Sequence, residues 1–171
     1  MAAPAPVKVT IVEATRLDAG RIAELLDDYL RELSSHREVP VGAVDAASYP
    51  YLEAYWSEPG RHPFLFVSGN QTIGFALIRS PISTGTPAFQ MAEFYVTPES
   101  RRMGVGRQAA LTIFHRYPGA WELQVHARNT AALSFWAASI REVARDPRPP
   151  LEIHARDGRR LQFNFDADRD A

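Results

Sequence analysis

The sequence predicts one mixed α/β (α+β) domain with a central sheet of about six or seven strands. Two observations predict it. Three apolar strand patterns separated by turn-forming residues occupy the middle of the chain, and helical and strand patterns alternate after them. The 171 residues, 46% hydrophobic and 23% charged, suit a single folded core. Residues 1–171 are therefore expected to form one domain, with residues 1–6 and 167–171 frayed.

Two elements are predicted before the central strands. Residues 7–13 alternate apolar and polar side chains, which is typical of a half-buried strand. Thr15 or Asp18 can cap the helix that follows. The apolar positions of that helix share one face: Ile22, Leu25, Leu26, Tyr29, Leu30 and Leu33. Residues 36–50 have the composition of a loop, and residues 51–57 can form a short helix before Pro59 and Gly60.

The three central strands are predicted at residues 63–67, 73–78 and 88–96. Turn-forming residues separate them at 68–71 and at 81–87. The third strand is apolar on both faces except for Gln90 and Glu93. A strand buried on both faces is normally central in its sheet, so we expect 88–96 to be central.

Helices and strands alternate in the second half. A polar loop from residue 97 leads into a helix with Ala109, Ala110, Ile113, Phe114 and Tyr117 on its inner face. Residues 120–126 form the next predicted strand, and Asn129 caps the next helix. Residues 151–155 and 161–165 are predicted to close the chain as a hairpin. The predicted order of elements is βααβββαβαββ.

Composition excludes several classes of function. Nineteen basic and twenty acidic residues leave a formal charge of −1, whereas nucleic-acid binders usually carry a basic excess. The absence of cysteine excludes a thiolate nucleophile and cysteine-based metal sites, and the histidines lack metal-ligand spacing, so no metal is predicted. No apolar run approaches the roughly 20 residues that span a bilayer, and the first residues lack secretory-signal features. We expect a cytoplasmic protein without nucleic-acid or membrane partners.

The strongest chemical signal is the loop 101–106 between the buried strand and a helix. Gly104 and Gly106 let the backbone approach a ligand closely, and the first amides of the helix are free to bind it. Together with the helix dipole they favour a phosphate or a pyrophosphate. Arg101 and Arg102 add positively charged donors. A surface loop that simply starts a helix with glycine is the alternative.

Three kinds of phosphate site can be compared with this loop. A P-loop requires a Gly-Lys pair, which the chain lacks. Residues 104–109 match the dinucleotide pattern G-x-G-x-x-G/A, but seven residues separate the first glycine from the strand. An NAD(P)-binding protein therefore stays a weak alternative. The third possibility follows from a family resemblance.

The strand 91–96, the loop Arg101-x-x-Gly104-x-Gly106 and the later Asn129-x-x-Ala132-x-x-Phe135-Trp136 resemble the GNAT superfamily of N-acetyltransferases. The similarity covers residues 64–140. Within it, the run "EFYVTPESRRMGVGRQAA" is similar to a bacterial branch of the family known as predicted acetyltransferases. The resemblance implies acetyl-CoA as co-substrate and two splayed strands that form its cleft. It also implies direct attack of an amine on the thioester, which agrees with the absence of cysteine.

The resemblance also implies which residues hold acetyl-CoA. The pyrophosphate is expected on the amides of Arg102, Met103, Gly104, Val105 and Gly106, beside Arg101. The pantetheine arm is expected to pair with the backbone of Phe94, Tyr95 and Val96, where the Val96 amide serves as oxyanion donor. Asn129, Phe135 and Trp136 are expected near the same arm.

Glu93 is the first candidate for the general base, because burial in an apolar strand raises the pKa of a carboxyl group. His126, at the end of the neighbouring strand, is the second candidate. Many family members carry a tyrosine as general acid where this chain has Trp136, and an indole cannot take that role. Tyr95 or water is expected to replace it.

The acceptor is expected to bind among the first helices, the loop 36–50 and the closing hairpin. Aromatic and acidic candidates for this groove are Tyr51, Tyr55, Trp56, Asp28, Glu32 and Glu53. We expect transfer of an acetyl group to a primary amine of a small molecule or peptide. A different acyl-CoA, a non-amine acceptor and a non-catalytic CoA-binding module are the alternatives, and a homodimer is possible.

Overall fold

The computed structural model describes residues 6–80 and 88–168, and it confirms the predicted fold class and order of elements. The predicted turn 81–87 lies outside the described residues. Thr15 caps a 3-10 turn at Arg16–Asp18 that leads into the first helix. The main elements are β1 (Thr10–Glu13), α1 (Ala19–Ser34), α2 (Ala54–Ser57), β2 (Arg61–Ser68), β3 (Gln71–Arg79), β4 (Phe89–Val96), α3 (Val105–Arg116), β5 (Gly119–His126), α4 (Thr130–Val143), β6 (Leu151–Ala155) and β7 (Gly158–Ala167).

The described strands form one seven-stranded sheet in the order β1-β2-β3-β4-β5-β7-β6, so β4 is central as predicted. Helices cover both faces. The α3 and α4 face buries a cluster around Phe114 and Trp121, and the α1 face buries a second cluster around Leu26 and Phe75. None of the described helices is both long and apolar enough to cross a membrane.

Two ends of the chain differ from the prediction. The first strand begins at Thr10 and not at residue 7, because the Val7 carbonyl accepts a hydrogen bond from the Gln108 side chain at 2.9 Å instead of a strand partner. The expected fraying from residue 167 is wrong for Ala167, which pairs with Gly119 in the sheet and is 2% exposed. The Asp168 amide also donates to the Val143 carbonyl at 2.8 Å.

The central strands β4 and β5 separate along their length, as expected. They pair in parallel at only three positions, the last of which joins Met91 to Leu123. Directly after it β4 carries a bulge, since Met91 faces Ile78 of β3 whereas Glu93 faces Leu77, which leaves Ala92 as the extra residue. The bulge ends the β4–β5 pairing and opens the sheet between these strands.

The bulge also decides which face of the sheet each β4 side chain occupies. Met91 and Phe94, three residues apart, both pack in the cluster beneath α3 and α4, although side chains three apart normally alternate. Tyr95 packs in the opposite cluster beneath α1. The extra residue thereby places Glu93 on the α1 face together with Tyr95.

Candidate functional site

A cleft of about 450 Å³ opens where β4 and β5 separate. Its wall is formed by β4, the loop before α3, the start of α4 and one face of α1. The lining residues are Tyr29, Glu32, Leu33, His36, Phe94, Tyr95, Val96, Arg101, Arg102, Gly104, Gly106, Arg107, Asn129, Ala131, Ala132, Phe135 and Trp136. The structure therefore brings together most of the residues that the sequence predicted for the coenzyme.

The N-terminus of α3 faces this cleft. Gly104 caps the helix in a left-handed conformation with φ 79°, which favours glycine although a Cβ there would meet no atom closer than 3.7 Å. The first-turn amides of a helix have no partner within the helix, and they carry the positive end of its dipole. Open space beside free amides fits the phosphates of a coenzyme.

The two loop arginines differ in what they bind. Arg101 donates from Nη1 and Nη2 to the carboxylate of Glu32 at 3.0 and 2.6 Å, and from Nε to the Val96 carbonyl at 2.9 Å. Its guanidinium therefore joins the loop to α1 and β4 while it also lines the cleft, and its expected contact with a phosphate stays a prediction. Arg102 has no carboxylate within 4 Å in the described part of the chain, so its charge is the one left for an anion.

Met103 and Val105 do not line the cleft with their side chains. Met103 is 44% exposed and is absent from the cleft lining, whereas Val105 is 1% exposed and packs in the core. Their expected contribution is through the main-chain amides alone, and that contribution stays a prediction.

Gly106 lies where α3 packs closely against α4 and β4. A Cβ on Gly106 would lie 3.2 Å from the Phe135 ring and 3.7 Å from the Val96 side chain. The glycine therefore lets α3 approach α4 and β4. Trp136 is 6% exposed and makes an edge contact with Phe94 at 4.9 Å between ring centroids, so it belongs to the core as well as to the cleft.

Asn129 begins α4 as predicted. Its side-chain oxygen accepts a hydrogen bond from the Ala132 amide at 3.2 Å, which satisfies one of the unpaired amides of the helix. The residue also lines the cleft, so its capping role and its expected place beside the coenzyme arm are compatible.

The main-chain groups of Val96 point into the cleft. The Thr97 amide donates to Ile73 of β3 at 2.9 Å. Successive residues of a strand direct their main-chain groups to opposite edges, so those of Val96 and Phe94 face β5. Arg101 reaches the Val96 carbonyl from that side. By the same alternation the main chain of Tyr95 faces its partner Phe75, so Tyr95 offers the cleft only its side chain.

Glu93 is tied to two tyrosines that the sequence analysis did not single out as site residues. The Tyr49 hydroxyl donates to Glu93 Oε1 at 2.9 Å, and the Tyr29 hydroxyl lies beside the same carboxylate and acts on its pKa as a hydrogen-bond donor. Burial raises the pKa of Glu93, while these two hydrogen bonds and the charges of Arg160 and Arg37 oppose the rise. Burial likewise raises the pKa of Tyr29 and Tyr49, so both stay protonated donors.

A second cavity of about 200 Å³ lies on the other side of Glu93. Its lining residues are Tyr49, Tyr51, Tyr55, Arg61, Arg79, Gln90, Met91, Ala92, Glu93, Gln124 and Arg160. Tyr29, whose hydroxyl lies beside Glu93, lines the large cleft. The Glu93–Tyr29 pair therefore joins the two spaces.

The expected acceptor residues are distributed differently from the prediction. Tyr51 and Tyr55 line the second cavity, but Trp56 does not. Glu32 lines the large cleft as the partner of Arg101. Asp28 and Glu53 line neither space, because they form surface ion pairs with Arg31 and Arg16.

His126 lies outside both spaces. Its Nε2 is 2.8 Å from Asp157 Oδ2, and Arg160 and Arg37 bind the same carboxylate at 2.7 and 3.7 Å. Burial lowers the pKa of His126. The histidine is a buried member of an ion-pair network beside the hairpin β6–β7, which places it away from the candidate reaction centre.

Sequence patterns could not identify Tyr29, Tyr49, Arg79 or Arg160 as site residues. Tyr29 has the spacing of the apolar face of α1, and Tyr49 lies in the loop 36–50 that leads to α2. Over the residues with described structure, no group of three His, Asp or Glu side chains could hold a metal ion.

The fold and the cleft define an acetyl-CoA-dependent acyltransferase. Residues 22–139 match the sequence model of the acetyltransferase (GNAT) family, and the chain belongs to that family. The alternative dinucleotide-binding interpretation is wrong, since β4–β5 is the only parallel pairing among the described strands. No curated protein sequence matches the chain significantly.

Solved structures share the fold at low sequence identity. An acetyltransferase from Thermus thermophilus is 13% identical with a TM-score of 0.67, over 95% of this chain and 99% of that one. A GNAT acetyltransferase from Bacillus cereus ATCC 10987 is also 13% identical, with a TM-score of 0.68 over 95% and 99%. Spermidine N-acetyltransferase from Vibrio cholerae, solved with CoA and spermine, is 16% identical with a TM-score of 0.56 over 93% and 95%.

Proposed function

We propose that the chain transfers the acetyl group of acetyl-CoA to the primary amine of a small molecule, with Glu93 as the general base. One observation carries the proposal. Glu93 lines the second cavity and lies beside the hydroxyl of Tyr29, which lines the large cleft, so one carboxylate stands between a space for the coenzyme and a space for an acceptor.

The large cleft would hold acetyl-CoA, which supplies the thioester. The amides at the start of α3 and the unpaired Arg102 would bind its phosphates. The main-chain groups of Phe94 and Val96 would pair with the pantetheine arm as an added strand. Phe135 and Trp136 would border that arm, and Asn129 would stand at its edge.

Glu93 would accept the proton of the amine. Alkyl amines have pKa values near ~10, so they need a base at neutral pH. Burial brings the pKa of Glu93 above its ordinary value, which improves the match, while the Tyr49 and Tyr29 hydroxyls keep the carboxylate oriented. The nitrogen then bonds to the acetyl carbon, the carbon–sulfur bond breaks, and CoA leaves as a thiolate that takes up a proton.

The Val96 amide would stabilise the negative charge on the acetyl oxygen, because it faces the cleft with no β5 partner at this position. Tyr95 would be the proton donor for the leaving thiolate. Its ring lines the cleft beneath the Arg101 guanidinium at 5.4 Å, and burial raises its pKa, so it stays protonated at neutral pH. A thiol with a pKa near ~8.5 is also a fair leaving group unassisted.

The first test is a thermal shift with acetyl-CoA, CoA, NAD and NADP side by side. Saturation at 100 times Kd adds about 2.7 kcal/mol, which is several degrees for a domain of this size. Acceptor-dependent release of CoA thiol across a panel of amines, with Glu93→Gln as comparison, then tests the reaction. Binding of CoA without release by any amine would contradict the proposed activity, and a shift with NAD alone would contradict the assigned coenzyme.

A further inference from the structure

The second cavity carries an excess of positive charge. Three arginines, Arg61, Arg79 and Arg160, line it, whereas Glu93 is the only carboxylate among its lining residues. Such a balance is the opposite of what a polycationic acceptor requires. The partners of the three guanidinium groups determine how much of this charge remains for a ligand.

Arg61 and Arg160 already have carboxylate partners. Arg61 lies 3.5 Å from Glu58, and Arg160 binds both oxygens of Asp157 at 3.1 and 2.7 Å. Asp157 is shared with Arg37, whose Nε lies 3.7 Å away, so one carboxylate serves two arginines. The charge of Arg160 is thus only partly neutralised.

Arg79 has no acidic partner within 4 Å in the ranges 6–80 and 88–168. It donates to the side-chain oxygen of Gln90, whose amide nitrogen in turn donates to Glu122 at 3.1 Å. The glutamine is thereby held with its oxygen toward Arg79. A neutral amide supplies one acceptor for a guanidinium that has five N–H donors, so Arg79 can bind an anion in the cavity.

A second, independent observation points to a ligand in the same place. Tyr55 is 4% exposed and lines the cavity, and its hydroxyl makes no hydrogen bond of ordinary geometry within the described residues. The neighbouring Arg61 can only donate to this hydroxyl, so the hydroxyl proton lacks an acceptor. Burial raises the pKa of Tyr55 to about 12, so the hydroxyl remains a donor. An unpaired buried hydroxyl costs free energy unless a bound group accepts from it.

We propose that this cavity binds the acceptor, and that the acceptor is a small amine which also carries a carboxylate or a phosphate. Arg79 and the Tyr55 hydroxyl hold the anionic group, and the amine lies toward Glu93 at the opening to the coenzyme cleft. A volume of about 200 Å³ suits a ligand of amino-acid size. The inference rests on the proposed acetyl transfer for the role of Glu93, but the anion site itself does not depend on turnover.

The test compares matched amines that differ only in the acidic group. Phenylalanine is compared with phenethylamine, and O-phosphoethanolamine with ethanolamine, while spermidine serves as the polycation. We expect kcat/KM to be at least about tenfold higher for the acidic member of one pair. The pair that responds distinguishes a carboxylate from a phosphate. Equal rates within both pairs, or a preference for spermidine, would overturn the proposal.

Two variants locate the effect. Arg79→Gln should raise KM for the acidic amine about tenfold or more while changing KM for its neutral partner by less than about twofold. Tyr55→Phe keeps the ring but removes the hydroxyl, and it should also raise KM for the acidic amine. Arg145→Gln, on an exposed arginine paired with Asp168, is the control. An equal rise in KM for the acidic amine and for its neutral partner in Arg79→Gln would overturn the assignment of Arg79.

Calorimetric titration separates this inference from the proposed function. If no amine is acetylated, binding of an acidic amine that is lost in Arg79→Gln still supports the site, and only the proposed reaction fails. Absence of binding to the parent protein at millimolar ligand overturns the site, whatever the outcome with acetyl-CoA.

Discussion

The Tyr49 hydroxyl donates a 2.9 Å hydrogen bond to Glu93 Oε1 across 44 residues of sequence. The tyrosine comes from the loop before α2 and the glutamate from the bulged part of β4. A hydrogen bond to the charged form of an acid lowers its pKa, so Tyr49 limits the rise that burial imposes on Glu93.

This relationship predicts a pH effect. A base acts only when it is deprotonated, so kcat/KM should rise as the pH passes through the raised pKa of Glu93. Tyr49→Phe removes the donor, raises that pKa further and should move the acidic limb of the profile to higher pH. Glu93→Gln should abolish the limb and lower kcat by roughly 10²–10⁴-fold. The measurement is kcat/KM against pH for the three proteins.

The control for this series is Glu24→Gln, which breaks only an exposed ion pair with Arg21 and should keep the parental profile. An unchanged acidic limb in Tyr49→Phe together with an active Glu93→Gln would assign the base to another group.

Coenzyme binding should depend on Arg102 and Gly104. Arg102→Gln removes the unpaired charge of the cleft and should raise the Kd for CoA about tenfold, with a weaker dependence on salt. Gly104→Ala should weaken binding as well, because the left-handed conformation costs a residue with a side chain about 1 kcal/mol or more. Titration at two salt concentrations measures both effects. The control is Arg141→Gln, on the exposed face of α4, which should bind CoA like the parent. An unaltered Kd for CoA in Arg102→Gln would contradict the proposed contact of Arg102 with the coenzyme.

Gly74 should be intolerant of any side chain. A Cβ there would overlap the carbonyl oxygen of Tyr95 and lie 2.5 Å from the Phe66 ring, so β3 and β4 would have to separate. Gly74→Ala is expected to lower the free energy of unfolding by several kcal/mol, on the order of 3. It should also impair coenzyme binding, because Val96 shifts with the strand. The measurement is denaturant unfolding with and without CoA.

Gly20 provides the matched control in the same kind of experiment. It lies in α1, and a Cβ would meet nothing within 4 Å. Gly20→Ala should therefore raise the free energy of unfolding by about 0.5–1 kcal/mol, since alanine favours a helix over glycine. Equal effects of the two substitutions would contradict the steric argument.

Asp157 should make the free energy of unfolding depend on pH in the acidic range. Burial tends to raise the pKa of Asp157, but hydrogen bonds from Arg160 and His126 outweigh it and lower the pKa from 3.8 to about 2. The stabilisation is present above the ordinary pKa of 3.8 and is lost as the pH falls toward 2. It corresponds to about 2 kcal/mol. Burial also lowers the pKa of His126. Protonation of this histidine below its ordinary pKa of 6.5 therefore lowers the free energy of unfolding as well.

Asp157→Asn leaves Arg37 and Arg160 without their carboxylate and should cost about 2–4 kcal/mol at neutral pH. Urea unfolding between pH 2 and pH 7 measures the effect. Asp28→Asn, which breaks an exposed pair with Arg31, is expected to cost less than about 1 kcal/mol. A parental stability independent of pH below 4 would contradict the network.

Local sequence accounted for much of the fold and for half of the site. Thr15 and Asp18, the two predicted cap residues, form a capping box on the 3-10 turn that precedes α1, since they are three residues apart. The loop 101–106 was recognisable because glycine spacing, a helix start and arginines are all local properties. The placement of Glu93 in a central strand followed from apolar patterning alone.

What the sequence by itself determined is therefore the order of elements and the local make-up of the α3 N-terminus, where we propose that the coenzyme phosphates bind. The tertiary structure decided which charges remain available. Arg101 is paired with Glu32 from 69 residues away, and His126 with Asp157 from 31 residues away, so both side chains already have acidic partners. The bulge at Ala92 turned Glu93 toward Tyr49. Periodicity records which face of an element is apolar, whereas these contacts depend on the register between strands and on the packing of α1, which no local pattern specifies.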